Sequence, residues 1–149
     1  YHNALMAEIT RVKEIHGIAI LYDCHSIRSE IPFLFDNRLP DLNIGTFNGT
    51  TCARELTDAV TSVCSDNPHF SFVVNGRFKG GWTTRHYGRP HEGVHAIQME
   101  LAQRTYLAAE IPPFEYSESR AAPLRTLLRD ILAAVGETAA YNLIPETRN

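Results

Sequence analysis

The chain has 149 residues, which makes one domain spanning 1–149 the first expectation and is long enough to bury a real core. Hydrophobic residues make up 44% and charged residues 21%, a balance that excludes a disordered polypeptide. The net charge of −3 comes with scattered Lys and Arg, so nucleic acid is not an expected partner, and no apolar run approaches the roughly 18 residues of a membrane span.

The three cysteines, Cys24, Cys52 and Cys64, are odd in number and form no C-x-x-C, which argues against a disulfide scaffold or zinc ribbon. A reduced, cytoplasmic setting is the expectation. The opening Tyr1-His2-Asn3 has neither the basic nor the apolar region of a signal peptide. It leads straight into a helical pattern without an initiating Met, so the chain reads as one part of a longer protein.

Leu5, Ile9 and Val12, with Met6 and Ile15 less cleanly, predict a helix over 3–16, stopped by Gly17. A buried-looking strand follows over 18–24, with Asp23 and His25 at its carboxyl end. Residues 25–49, rich in Pro, Gly, Asn and Asp, read as a long loop, and such loops are usually functional. Ala53, Leu56, Val60, Val63 and Cys64 predict a helix over 50–66, ended by Asn67-Pro68. A second strand is expected over 70–75, a second long loop over 76–92 and a third strand over 93–100. On that third strand His95, Ile97 and Met99 share one face and Ala96, Gln98 and Glu100 the other. Leu124, Leu127, Leu128, Ile131, Leu132 and Val135 predict a final helix over 119–135, and the tail from 141 is expected to be peripheral. Strands alternating with helices indicate an α/β fold with a parallel or mixed sheet. Three strands are few for a covered sheet, a second sign of missing chain.

Strand ends are where open α/β sheets bind ligands. His25 closes the first strand and Glu100 the third. An imidazole that holds a metal, beside a carboxylate that shuttles protons, is the core of a metal-assisted amide hydrolase. The plainer alternatives are a hydrogen-bonded structural His and a solvated carboxylate, and Asp23 could be either a partner of His25 or a turn former. Six of the fourteen basic residues, Arg28, Arg38, Arg77, Lys79, Arg85 and Arg89, fall in the two loops, and guanidinium groups suit a small anionic substrate. Arg28 and Arg85 flank the candidate site; His86 could polarise a carbonyl or pack on Tyr87. No Walker A, G-x-S-x-G or G-x-G-x-x-G string occurs, and His2, His16, His69 and His91 show no shared geometry. A complete three-ligand zinc site is therefore not evident.

Four segments in register carry a resemblance: Asp23-Cys24-His25-Ser26-Ile27-Arg28-Ser29, Leu39-Pro40-Asp41-Leu42-Asn43-Ile44-Gly45-Thr46, Gly80-Gly81-Trp82-Thr83-Thr84-Arg85-His86-Tyr87-Gly88-Arg89-Pro90, and His95-Ala96-Ile97-Gln98-Met99-Glu100-Leu101. Together, over roughly residues 1–135, they resemble the N-formylglutamate amidohydrolase family. The resemblance implies a three-layer α/β/α sandwich around a mixed sheet, similar to the zinc carboxypeptidases and related hydrolases. It implies metal-dependent hydrolysis of N-formyl-L-glutamate in histidine degradation, with zinc as cofactor. His25 would be the last zinc ligand in chain order, Glu100 the general base and then acid, and Arg28 and Arg85, with His86, the substrate-binding residues. The other zinc ligands are expected before Tyr1, so this chain would be the carboxyl-terminal part of the amidohydrolase domain. Two other readings are a deacylase of another N-acyl amino acid and a non-catalytic domain that binds an anionic metabolite.

Overall fold

The computed structural model describes residues 1–144. Four strands form one mixed sheet: β1 (Ala19–Ile27), β2 (Leu42–Gly45), β3 (Phe72–Val74) and β4 (Val94–Ala102). Their spatial order is β1-β4-β2-β3, with β1 parallel to β4, β2 antiparallel to β4 and β3 parallel to β2. The helices are α1 (His2–His16), α2 (Arg54–Ser65), α3 (Trp82–Tyr87) and α4 (Glu118–Thr138). Among the described residues no helix is long and apolar enough to cross a membrane.

The sheet is covered on both faces, because alternation along β4 sends apolar residues both ways. On one side Ile97 and Met99 join Leu42 and Ile44, the α2 residues Leu56, Val60 and Cys64, and the α4 residues Leu127, Ile131 and Val135. Leu42, Ile44, Leu56, Val60, Ile97 and Ile131 are fully buried there, each worth roughly 1.5–3 kcal/mol relative to exposure. On the other side a smaller cluster of Ile9, Ala19, Tyr87 and Val94 seats α1 and α3. An α/β fold with helices on both faces of a mixed sheet thus agrees with the expectation, and β1 and β4 are direct neighbours.

Local chemistry explains the boundaries. Gly17 ends α1 in the left-handed conformation, φ 76°, with its N–H donating to the Lys13 carbonyl at 2.8 Å. The strand expected over 18–24 runs three residues further, because His25, Ser26 and Ile27 stay paired with Glu100, Leu101 and Ala102. His25 therefore lies inside a strand rather than beyond it. The supposed loop 25–49 holds β2, a four-residue strand whose residues are all buried. Its Asn43 and Gly45 break any apolar pattern, which hid it. The supposed loop 76–92 holds α3 and a 3₁₀ turn over Pro90–Glu92. The expected second helix starts later, at Arg54, and the last helix runs longer, to Thr138, before a π-helical turn over Ala139–Leu143. Tyr141 is exposed while Leu143 packs against the main core, so the peripheral tail expected from 141 is only partly peripheral; residues 145–149 lie outside the described ones.

Two polar clamps set the strand ends. The Glu110 carboxylate accepts from the Ser29 N–H at 2.9 Å, the Ser29 hydroxyl at 2.6 Å and the Arg104 N–H at 2.7 Å. It joins the chain leaving β1 to the chain leaving β4. Asp41, just before β2, pairs with Arg104 at 2.8 Å and accepts from the Ser71 N–H at 2.9 Å.

Candidate active site

The parallel register aligns Asp23 with Gln98 and His25 with Glu100, and the antiparallel register places Asn43 opposite Glu100 and Gly45 opposite Gln98. Period-2 alternation puts Asp23, His25, Asn43, Gly45, Gln98 and Glu100 on the same face of the sheet, the face that carries α3. These are polar or small residues where the opposite face is aliphatic.

A hydrogen-bonded chain runs across this face. His25 Nε2 lies 3.0 Å from Asp23 Oδ1. The Thr84 hydroxyl, on α3, donates to Asp23 Oδ2 at 3.3 Å and approaches Gln98 Oε1 at 3.5 Å. Gln98 Oε1 accepts the Gly81 N–H at 2.7 Å, and Gln98 Nε2 faces Glu100 Oε2 at 3.4 Å. Asn43 Nδ2 donates to the Glu100 carbonyl at 3.2 Å, fixing the backbone beneath that carboxylate.

Burial separates the two candidate chemical groups. Glu100 is 6% exposed, and desolvation pushes its carboxyl above the ordinary range, opposed by His25 and reinforced by Asp23. A carboxyl shifted in this direction suits a group that takes up and returns a proton. The His25 side chain is 48% exposed and its Asp23 partner 16% exposed. Asp23 occupies Nε2, which leaves Nδ1 of His25 without a partner among the described residues. A carboxylate bonded to one imidazole nitrogen while the other ligates is a common arrangement at metal sites. The donor set fits one ligand of a metal with its orienting partner. It does not make a complete site, since no group of three or more His, Cys, Asp or Glu lies together among the described residues.

The glycine-rich segment before α3 reaches this face by close backbone approach. A Cβ on Gly45 would stand 2.6 Å from the Gly80 nitrogen, so only Gly allows that crossing. The Phe47 N–H donates to the Lys79 carbonyl at 2.6 Å, locking the two segments together. Phe47 and Asn48 adopt positive φ of 45° and 58°. That turn is held by Asn75, whose Oδ1 accepts the Thr46 N–H at 2.9 Å and the Asn48 N–H at 3.1 Å.

The arginine and His86 expectations fare differently. Arg85 sits on α3 one residue from Thr84, with Nε donating to the Gly81 carbonyl at 3.2 Å and its guanidinium 5.2 Å from the Phe47 ring centre. That keeps it beside the glycine segment. Arg28 lies beyond β1, exposed on a hollow with Ser26, Gln103, Tyr106 and Phe114. No hydrogen bond or ion pair joins Arg28 to Asp23, His25 or Glu100. His86 stacks on Trp82 at 4.1 Å between ring centres and lines a hollow with α1 residues such as Met6 and Lys13. The structure sets His86 toward α1, and its neighbours are those of a packing residue.

One string corrects the expectation that H-E-x-x-H is absent: His91-Glu92-Gly93-Val94-His95 matches the letters of that zinc motif. The motif works by setting both imidazoles on one helical face. Here it spans the 3₁₀ turn and the start of β4, with Gly93 at φ 75°. His91 is exposed, and His95 is 4% exposed with Nδ1 accepting the Ala53 N–H at 3.0 Å. Nδ1 serves as an acceptor and burial lowers the His95 pKa, so the ring acts as a cap on the approach to α2.

Thr84 and Gln98 are the site residues that the sequence reading did not single out. The signal for Gln98 was present, since a polar residue shares the Glu100 face of a strand whose interior is otherwise closed. Thr84 gave none, because α3 was read as loop.

Comparisons with known proteins identify the family. The family model for N-formylglutamate amidohydrolase matches residues 1–107. An N-formylglutamate deformylase of Pseudomonas putida is 50% identical over 135 residues, covering 91% of this chain and 50% of the relative. One from Pseudomonas aeruginosa is 47% identical over the same length, with the same coverage. The crystal structure of an N-formylglutamate amidohydrolase from Ralstonia eutropha superposes with a TM-score of 0.73 at 26% identity, over 95% of this chain and 49% of that one. The chain therefore spans about half the length of the relatives it matches, and it belongs to the N-formylglutamate amidohydrolase family.

Proposed function

We propose that this chain carries the proton-transfer half of a deformylase site, which hydrolyses N-formyl-L-glutamate to formate and L-glutamate in histidine degradation. The observation that carries the reading is the register pairing of His25 with Glu100, an exposed imidazole beside a buried carboxyl with a raised pKa. Relatives named for deformylation at about half identity support the substrate.

Glu100 takes a proton from the attacking water as it adds to the formyl carbon, then delivers it to the departing amide nitrogen. His25 would hold the metal through Nδ1, oriented by Asp23. Zinc bound there would supply Lewis-acid polarisation of the formyl oxygen and acidify a water. Its other ligands would come from outside the residues described. Arg85, next to the glycine segment, is the better placed arginine for a glutamate carboxylate; Arg28 remains a second candidate. The sheet is proposed to be that of the zinc-carboxypeptidase-like hydrolases, working in the cytoplasm on a small anionic substrate.

The test is formate release by the full-length protein across N-formyl, N-acetyl and N-succinyl derivatives of glutamate and aspartate, with metal analysis of the same sample. The reading predicts turnover centred on N-formyl-L-glutamate and about one zinc-type divalent ion per site. Preference for another acyl group would move the enzyme to a different deacylase class. Metal-free protein that binds the substrate without turnover would leave a binding domain.

A further inference from the structure

We propose that Gln98 is the positioning residue for Glu100, and that through it the carboxylate is set by the glycine segment at Gly81. This deepens the deformylase reading and rests on it for its kinetic test alone.

The amide of Gln98 has a forced orientation. Its Oε1 accepts the Gly81 N–H at 2.7 Å, a bond that the nitrogen end could not make. The Nε2 end must then point along the strand to Glu100 Oε2, at 3.4 Å. That separation is long for a resting bond and within the range that tightens when substrate closes a site. Gln98 is 5% exposed, so water does not compete for its amide. Among the described residues the hydrogen bond from Gln98 falls on Oε2, and Oε1 is the oxygen we assign to the reacting water.

The supporting structure is specific to this contact. Gly45 lies opposite Gln98 in the sheet, and any side chain there would strike Gly80 and Lys79. A Cβ on Gly81 would reach Gln98 Oε1 at 3.4 Å. The absence of a side chain at Gly45 is what lets the segment approach the sheet beside Gln98. Thr84, one turn into α3, approaches the same Oε1 and also holds Asp23, the partner of His25. Displacement of the segment that carries Arg85 is thus passed to Glu100 through one amide.

Three variants of the full-length protein test this: Gln98→Glu, Gln98→Leu and Gln98→Leu combined with Glu100→Gln. Gln98→Glu keeps the shape and an acceptor for Gly81 but presents no amide donor to Glu100. The expected result is a fall in kcat of about 10- to 100-fold in both single variants, with KM within about threefold. In the Glu100→Gln background the Leu substitution should cost less than about twofold more, since Gln98 acts through Glu100. Gly81 amide hydrogen exchange, read with or without activity, should stay protected in Gln98→Glu and become fast in Gln98→Leu. Near-wild-type kcat in Gln98→Glu, or a full further loss in the double variant, would overturn the proposal. Unprotected Gly81 in the wild type would overturn it too. Absence of formate release by a wild type with protected Gly81 would sink the deformylase reading and leave the Gln98–Gly81 geometry standing.

Discussion

The two faces of β4 are built from the same strand and do opposite work. His95, Ile97 and Met99 look toward α2 and α4, where aliphatic side chains close a water-free core. Ala96, Gln98 and Glu100 look toward α3, where polar groups are buried with selected partners and one carboxyl is held above its usual range. The histidines repeat the contrast. His95 is enclosed and bonded to the Ala53 N–H, while His25 is half exposed and bonded to a carboxylate. Residue type alone did not distinguish them; the neighbouring strand and the side of the sheet did. On the core side the buried histidine is paired with a backbone N–H and serves as a cap. The α3 side instead keeps buried polar groups bonded to one another, at some cost in stability.

Substitutions on the two faces should therefore separate stability from chemistry. On the aliphatic side, Leu56→Ala leaves a cavity at a fully buried position and is expected to cost about 2–5 kcal/mol in denaturant unfolding. Its kcat per folded molecule should not change; a large fall in kcat would show that the faces are not independent. On the polar side, Asp23→Asn removes the anionic partner of His25. Zinc titration of the full-length protein should show affinity lower by about 10- to 100-fold, with little change in unfolding. Unaltered affinity would detach Asp23 from metal binding.

Gly45→Ala probes the joint between sheet and glycine segment. The added methyl group meets backbone, which cannot swing away as a side chain can, so a loss of about 1–3 kcal/mol is expected together with reduced kcat. Full activity in this variant would mean that the segment can retreat without disturbing Glu100.

The smallest effect is a pH dependence. Burial depresses the His95 pKa below 6.5, so unfolded chains take up its proton first as the solution is acidified. Its contribution is complete above pH 6.5 and is lost as pH falls through the depressed value. His95→Gln should flatten that part of the stability curve. An unchanged slope would assign the acid-side loss to other groups.

Much of the fold was legible because it depends on period and punctuation. Leu5, Ile9 and Val12 repeat at helical spacing and Gly17 stops them; Leu124, Leu127, Ile131 and Val135 do the same for α4. β2 was not legible, since Asn43 and Gly45 are chosen for what they touch across the sheet rather than for β propensity. The helix α3 is six residues long, too short for a periodic pattern, and its Thr84 matters only through contacts with Asp23 and Gln98. Glu100 and His25 were found because strand ends attract function, and their register then confirmed them as neighbours. His86 follows Arg85 in sequence but faces another way, since adjacent helical residues point about 100° apart; it stacks on Trp82 and lines the hollow beside α1.

We propose that the α3-side face of β4 does the chemistry, with Glu100 moving the proton. The most direct test is Glu100→Gln in the full-length protein, with formate release and unfolding measured on the same sample. Burial disfavours the charged carboxylate, so the isosteric neutral amide should hold the unfolding midpoint. The account predicts kcat lower by about 10²- to 10⁴-fold in that well-folded variant. A well-folded Glu100→Gln protein releasing formate at nearly the wild-type rate would contradict it.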